Sequence, residues 1–134
     1  MRRDKVIISE NGIEPIHLSG RNVFNLITPE NVGSKCLSIG VDIIFPKGKT
    51  IPPHYHPKSE EAVYLIQGKL KVYYNSQALV MHRGDIIFIK PGTVHLFENI
   101  GKRKAKILFC FSPPVKTGNW VEVEKLDKKS KRGK

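Results

Sequence analysis

Residues 48 to 68, GKTIPPHYHPKSEEAVYLIQG, place His54, His56 and Glu61 within eight positions of one another, between two glycines. In a β-strand, side chains two apart share a face, so His54 and His56 point the same way and Tyr55 points the other way. Two imidazoles on one face make a chelating pair. Pro57, Lys58 and Ser59 read as a turn, because proline fixes φ and breaks the ladder, and Ala62 to Ile66 resumes an apolar extended run. Glu61 stands at the mouth of that second strand, free to fold back towards the histidines. Its neighbour Glu60 faces the opposite way, towards solvent. From Gly84 the chain reads GDIIFIKPGTVHLFEN: a turn, a short apolar strand, a corner at Lys90-Pro91-Gly92, then His95 and Asn99. His95 supplies a fourth side chain. Three neutral imidazoles and one carboxylate suit a single borderline divalent metal (Mn, Fe, Co, Ni, Cu or Zn), with positions left open for water or substrate.

The rest of the chain carries the period of a β-protein. Leu37, Ile39, Val41, Ile43 and Phe45 alternate with Ser38, Gly40 and Asp42, which reads as a half-buried strand. Leu70, Val72 and Tyr74, a turn at Asn75-Ser76, and Leu79 to Met81 read as a hairpin. Asn99 to Lys102 reads as a turn, and Ala105, Ile107, Phe109 and Phe111 continue inward until Ser112-Pro113-Pro114 stops the strand. No long stretch has helical apolar periodicity, so the expected class is all-β, closed on itself to hide its edges.

At these residues the sequence resembles the cupin superfamily, in its small single-domain form. Gly48, His54, His56, Glu61 and Gly68 stand at every fixed position of the first cupin motif. Gly84, Gly92, His95 and Asn99 meet the second, which departs only in carrying Lys90 where the family has proline, with Pro91 one place later. The resemblance covers about residues 36 to 112. It implies a double-stranded β-helix, or jelly-roll barrel, with His54, His56, Glu61 and His95 as metal ligands. The expected organisation is an N-terminal arm with short strands over residues 1–35, a barrel over 36–115, and a C-terminal segment over 116–134. In the arm, Val6 to Ser9 can form one strand, and Val23, Phe24, Leu26 and Ile27 another before Thr28-Pro29. Arms of this kind pack across a partner barrel in the family, so the resemblance implies a homodimer.

With 134 residues the chain is sized for one domain. No segment approaches the ~20 apolar residues of a membrane helix. The apolar run at Val6-Ile7-Ile8 is too short for the core of a secretory signal, so the expected location is cytoplasmic. Cys36 and Cys110 lie in no redox or zinc spacing, and both are expected as buried free thiols, which suits a reducing compartment.

The formal charge of +11 raises the question of nucleic acid, but much of the excess is local. KLDKKSKRGK, at 125–134, has six basic residues and one acid, hence +5, leaving +6 for the remainder. This reads as a mobile, solvated tail. With no interleaved aromatic pattern and no nucleic-acid module, any binding to RNA or DNA would be weak and salt-dependent. Positive potential does favour anionic small molecules. Arg21, Lys90 and His82 are the candidate rim contacts.

Together these features point to a metal-dependent enzyme acting on a small, oxygen-rich, anionic molecule: a carboxylate, a keto acid or a sugar phosphate. The metal would serve as Lewis acid or dioxygen-binding centre, which leaves dioxygenase, isomerase and decarboxylase or lyase chemistry open. No general acid or base is assigned. The alternative is a non-catalytic sensor or storage module that binds a small molecule. A structural storage barrel fits less well, because the ligand set is complete.

Overall fold

The computed structural model describes residues 6–116, 118–124 and 126. Its strands are β1 (Ile16–Leu18), β2 (Arg21–Ile27), β3 (Ser38–Ile44), β4 (His54–Tyr55), β5 (Glu60–Gln67), β6 (Lys69–Tyr74), β7 (Gln77–His82), β8 (Ile86–Ile89), β9 (His95–Asn99), β10 (Ala105–Ser112) and β11 (Val121–Glu122). One helical turn, α1 (Pro29–Val32), links β2 to β3; Thr28 caps it, accepting a bond from the Asn31 N–H. The strands form a six-stranded sheet, β1-β2-β3-β10-β5-β8, facing a five-stranded sheet, β11-β4-β9-β6-β7. All named pairings are antiparallel, and the two sheets make the expected jelly-roll barrel.

The hairpin of β6 and β7 forms as read, with Tyr74 opposite Gln77 across the two-residue turn. Asn75 takes φ 56° there, the left-handed conformation such turns need and asparagine tolerates. By contrast, Val6 to Ser9 join no strand. They run outside the ladder, with Val6 and Ile7 exposed. The stretch read as an arm nonetheless supplies β1 and β2 to the six-stranded sheet, where β2 pairs with β3 from Arg21 to Ile27. Glu10 reaches Lys106 on β10 at 3.1 Å. The stretch read as a C-terminal segment supplies β11, paired with β4. Lys125 and residues 127–134, most of the basic tail, lie outside the described residues.

Strand β3 departs from its half-buried pattern. Gly40, Val41 and Asp42 are all buried, so both faces of its middle are covered. The inward face carries Asp42 and Ile44, while the apolar residues Ile39 and Val41 face outward. Gly40 is required on the inward face, where an added Cβ would collide with the Phe109 ring. The cysteines also differ from expectation. Both are free, but Cys36 is exposed and Cys110 is only partly buried. Cys36 precedes β3, and Cys110 sits on the outward face of β10 beside Ile39 and Ala62.

The apolar core occupies one end of the barrel. Ile44, Val63, Leu65, Leu70, Val72 and Ala105 are fully enclosed there, with Met81 and Ile89 against them. Burying each of the larger side chains is worth about 1.5–3 kcal/mol. The second-motif Asn99 belongs to this end. Its Nδ2 donates to the carbonyls of Ile44 (2.9 Å) and Arg103 (2.8 Å), and its Oδ1 accepts from the Gly101 N–H (2.8 Å). It holds the turn between β9 and β10 closed and stands apart from the histidines. Gly48 is likewise structural: the chain there passes Gly20 so closely that any side chain would strike the Gly20 carbonyl.

Candidate metal centre

At the other end of the barrel, the antiparallel register of β4 with β9 sets His54 directly opposite His95. His56 lies two positions on, on the same face, just past the end of β4. The Gly92 N–H donates to its carbonyl at 2.9 Å, which ties the corner before β9 to the histidine pair. Gly92 takes φ 84°, so the corner needs glycine. Glu61 enters from β5 in the opposite sheet. The site therefore spans the interior from one sheet to the other, and it exists only when the barrel is closed.

All three imidazoles are buried, and the ligand atoms they offer lie within 4.8 Å of one another. Glu61 is not in that mutual set, but its Oε1 is 3.1 Å from His95 Nε2 and 3.7 Å from His56 Nε2. Each histidine places Nδ1 on a backbone carbonyl: His54 on Pro52 (2.9 Å), His56 on Asn119 (3.0 Å) and His95 on Thr93 (2.8 Å). A carbonyl only accepts, so Nδ1 carries the proton in each ring and the neutral tautomer leaves a lone pair on Nε2. Burial pushes His54 down to about 3, and the neighbouring His95 adds to the fall. Burial also lowers His56, against the attraction of Glu61. Neutral rings with free Nε2 atoms are what a divalent metal requires, and the carbonyl contacts are the usual outer support for such ligands.

Two further facts fit a cation here. Among the described residues, His56 Nε2 and Glu61 Oε1 are buried without a hydrogen-bond partner. With neutral rings, the Glu61 oxygen faces two nitrogen lone pairs, an arrangement that a cation between them relieves. The donor set of nitrogens and one carboxylate suits a borderline divalent transition ion.

Residues outside the motifs complete the site. Trp120 lies flat on His54, ring centroids 4.0 Å apart and planes 9° apart, and meets His56 edge-on. Phe111 packs its edge on His56 at 4.7 Å. Asn119 clasps the turn after His56: Lys58 N donates to its Oδ1 (2.7 Å), and its Nδ2 donates to Ser59 Oγ (2.6 Å). Ser59 in turn donates to the Pro113 carbonyl at 2.6 Å. Sequence reasoning missed Asn119 and Trp120. The available signal was the chain's single tryptophan in an alternating N-W-V-E-V run, itself a short strand pattern.

A cavity of about 370 Å³ opens beside the histidines, within the range of small-molecule sites. Its walls include Val23, Phe97, Ile107, Phe109, Phe111 and Trp120, so it is mainly apolar. Of the three expected rim residues, Arg21 lines it, whereas Lys90 and His82 do not. His82 is instead exposed at the end of β7, 4.0 Å from Asp85. Asp42, not singled out from sequence, also faces the cavity; Arg21 Nη1 donates to its Oδ2 at 2.6 Å. Glu60 is exposed, as its position in the strand requires.

Fold and site together define a small jelly-roll barrel with a buried three-histidine cluster at one end and a cavity beside it. The family model described as the cupin domain matches residues 41–111. The chain belongs to the cupin family. It is 33% identical over 106 residues to the tetracenomycin polyketide synthase protein TcmJ of Streptomyces glaucescens, covering 79% of this chain and 70% of that one. Among solved structures, the oxalate decarboxylase of Lactobacillus farciminis in its formate complex superposes with TM-score 0.73 at 27% identity, over 84% of this chain and 34% of that one. The polyketide cyclase RemF from Streptomyces resistomycificus gives TM-score 0.75 at 17% identity, over 89% and 85% of the two chains, a likeness of fold. The relatives and neighbours thus include enzymes. Among the described residues, no helix is long and apolar enough to cross a membrane.

Proposed function

We propose that this protein is a metal-dependent enzyme. Its substrate would be a small oxygen-rich molecule with a planar apolar body, of the aromatic polyketide kind. His54, His56 and His95 hold one divalent transition ion, with Glu61 as the fourth ligand. The observation that carries the reading is the orientation of the three rings, whose Nδ1–H groups all end on backbone carbonyls and whose ligand nitrogens lie within 4.8 Å of one another, with His56 and His95 Nε2 beside Glu61. When bound, the ion would supply Lewis acidity, polarising a carbonyl or phenolic oxygen.

The chain's own residues do the remainder. Phe109, Phe111 and Trp120 offer aromatic walls that exclude water and hold a ring system. Arg21, ion-paired with Asp42, stands in the wall of the same cavity. Sugar phosphates and very small dicarboxylates fit less well, because they would leave these walls without apolar partners. The 33% identity to TcmJ, named as a polyketide synthase protein, supports the same substrate class.

The test is metal analysis of protein purified without chelator, followed by mass-spectrometric assay. The substrates would be β-diketones, hydroxynaphthoic acids and linear poly-β-keto thioesters, with Mn, Fe, Co, Ni, Cu and Zn supplied in turn. About one ion per chain, and turnover of an aromatic or poly-β-keto substrate, is the expected result. Ligand-induced thermal stabilisation without turnover would assign a binding role instead. Failure to take up any of these ions would remove the proposal.

We also propose that a second copy covers the outer face of β5 and β8, where Tyr64 is paired with Ile86 and Ala62 with Phe88. Ile86 and Phe88 are 66% and 52% exposed, more than a free surface favours for adjacent large apolar residues. Sedimentation giving a monomer at micromolar concentration would rule this out. A cytoplasmic location accords with the exposed free thiol of Cys36.

A further inference from the structure

The Arg21–Asp42 pair serves no purpose in holding a metal, yet it lies in the wall of the same cavity as His54, Glu61 and His95. Arg21 comes from β2 and Asp42 from the inward face of β3. As a tie between neighbouring strands the pair would be ordinary. Its composition is not: the Asp42 side chain is 3% exposed and the Arg21 side chain 11%, in a wall otherwise built largely of aliphatic and aromatic groups. Asp42 Oδ2 accepts from Arg21 Nη1, but Asp42 Oδ1 is buried and, among the described residues, no group donates to it. Leaving a buried carboxylate oxygen unpaired costs more than a typical hydrogen bond returns, so a strand tie alone does not account for it. A guanidinium has five N–H donors, so Arg21 can serve a ligand as well as Asp42.

The unpaired acceptor and the adjacent donor form an edge with a definite complement. That complement is a group offering an O–H beside an oxygen acceptor, such as an enol next to a ketone or a phenol next to a carbonyl. We propose that the Arg21–Asp42 pair is a second ligand subsite, taking a hydroxyl or enol on Asp42 Oδ1 and a neighbouring oxygen on Arg21. The ligand's apolar ring body would lie against Phe109 and Ile107, with its other oxygenated edge at the histidine cluster. The inference rests on the metal-centred reading and adds to it that the substrate is oxygenated at both ends. Burial holds the Asp42 carboxyl above its ordinary value, with Arg21 opposing, and Glu61 adds to the rise. Asp42 and Glu61 therefore feel each other across one cavity.

The test is calorimetric titration of the zinc-loaded protein with 3-hydroxy-2-naphthoic acid, oxygenated on one ring only, and with dihydroxynaphthoic acids that add one phenol on the far ring. In the wild type, the better dihydroxy isomer is expected to bind about 10-fold or more tighter than the parent, the gain of one hydrogen bond to a charged acceptor. The double variant Arg21→Met, Asp42→Val removes both charges together and so avoids stranding one of them. It is expected to bring that ratio to near unity, while zinc content and affinity for the parent acid stay unchanged. Asp42→Asn, which keeps the shape, is expected to lower the ratio several-fold and serves if the double variant does not fold. A wild type without the preference, or a preference that survives both variants, overturns the subsite. The metal reading is judged apart from it: parent acid that binds only when zinc is present upholds that reading, and equal binding without zinc defeats it.

Discussion

The two ends of the barrel interior are built on the same strands and the same inward faces, yet they contain opposite chemistry. Along β3 the inward residues pass from Ile44 to Asp42; along β5, from Leu65 and Val63 to Glu61; along β10, from Ala105 and Ile107 to Phe109 and Phe111. On β9 the change is from Asn99, closing a turn, through Phe97 to His95. One end is aliphatic and filled. The other is polar and aromatic, and it encloses space. The filled end gains stability from close packing, while the open end spends some of it on buried histidines, an unpaired carboxylate oxygen and a cavity. This division of labour lets a chain of modest size hold the histidine cluster rigidly, because the strands that carry these residues at one end are packed into the core at the other.

If the comparison is right, changes at the two ends separate cleanly. The largest effect belongs to His56→Ala. Metal content is expected to fall to background, with affinity lost by more than the ~10–100-fold typical of outer-sphere changes, while the far-ultraviolet circular dichroism stays that of the wild type. Metal retained at wild-type level would show that the polar end is not a metal centre. Next in size, Leu65→Ala at the filled end should cost about 2–5 kcal/mol in denaturant unfolding, with metal stoichiometry unchanged in the folded fraction. Loss of metal in folded Leu65→Ala would show that the two ends are not separable.

Acid sharpens the contrast. In the folded apoprotein, burial holds His54 down at about 3, below its ordinary 6.5, so the unfolded chain binds the proton first. Stability from this group is therefore complete above pH 6.5, falls as pH drops towards 3, and is constant below that, a loss on the order of a few kcal/mol. His56, also lowered, acts in the same direction. Asp42, raised by burial, acts in the opposite one, being protonated more readily in the fold. Unfolding of the apoprotein measured from pH 7 to pH 4 should show a net fall. His54→Phe, which keeps a ring for Trp120 to stack on, should flatten it. The smallest effect is expected from Asn119→Ala, which opens the clasp on the turn after His56 without removing a ligand: about 10-fold in metal affinity, by competition with a chelator, and under about 1.5 kcal/mol in stability.

Much of the site was legible because its spacing is local. A period of two puts His54 and His56 on one face whatever the rest of the chain does, and Glu61 follows one turn later. The position of Glu60 followed from the same alternation. Strand β3 misled because it is covered on both sides, so alternation between apolar and small or polar residues no longer tells inside from outside. Cys36, read as buried, is exposed because β3 begins only at Ser38. Lys90 and His82 were rim candidates by charge, but their side chains lie beyond the cavity wall. Arg21 alone was correctly placed at the cavity, and its pairing with Asp42 depends on how β2 registers against β3.

The sequence by itself determined the β-class, the turns at the glycines and Asn75, and the shared face of His54 and His56, since each depends on neighbours a few positions away. Only the tertiary structure decided that His54 faces His95 and that Glu61 reaches them from the opposite sheet. It also decided that Asn119 and Trp120 close over the cluster and that Asp42 looks into the cavity. Those relations join residues dozens of positions apart. They are set by register and barrel closure, which come from the summed packing of many side chains and are carried by no single stretch of chain.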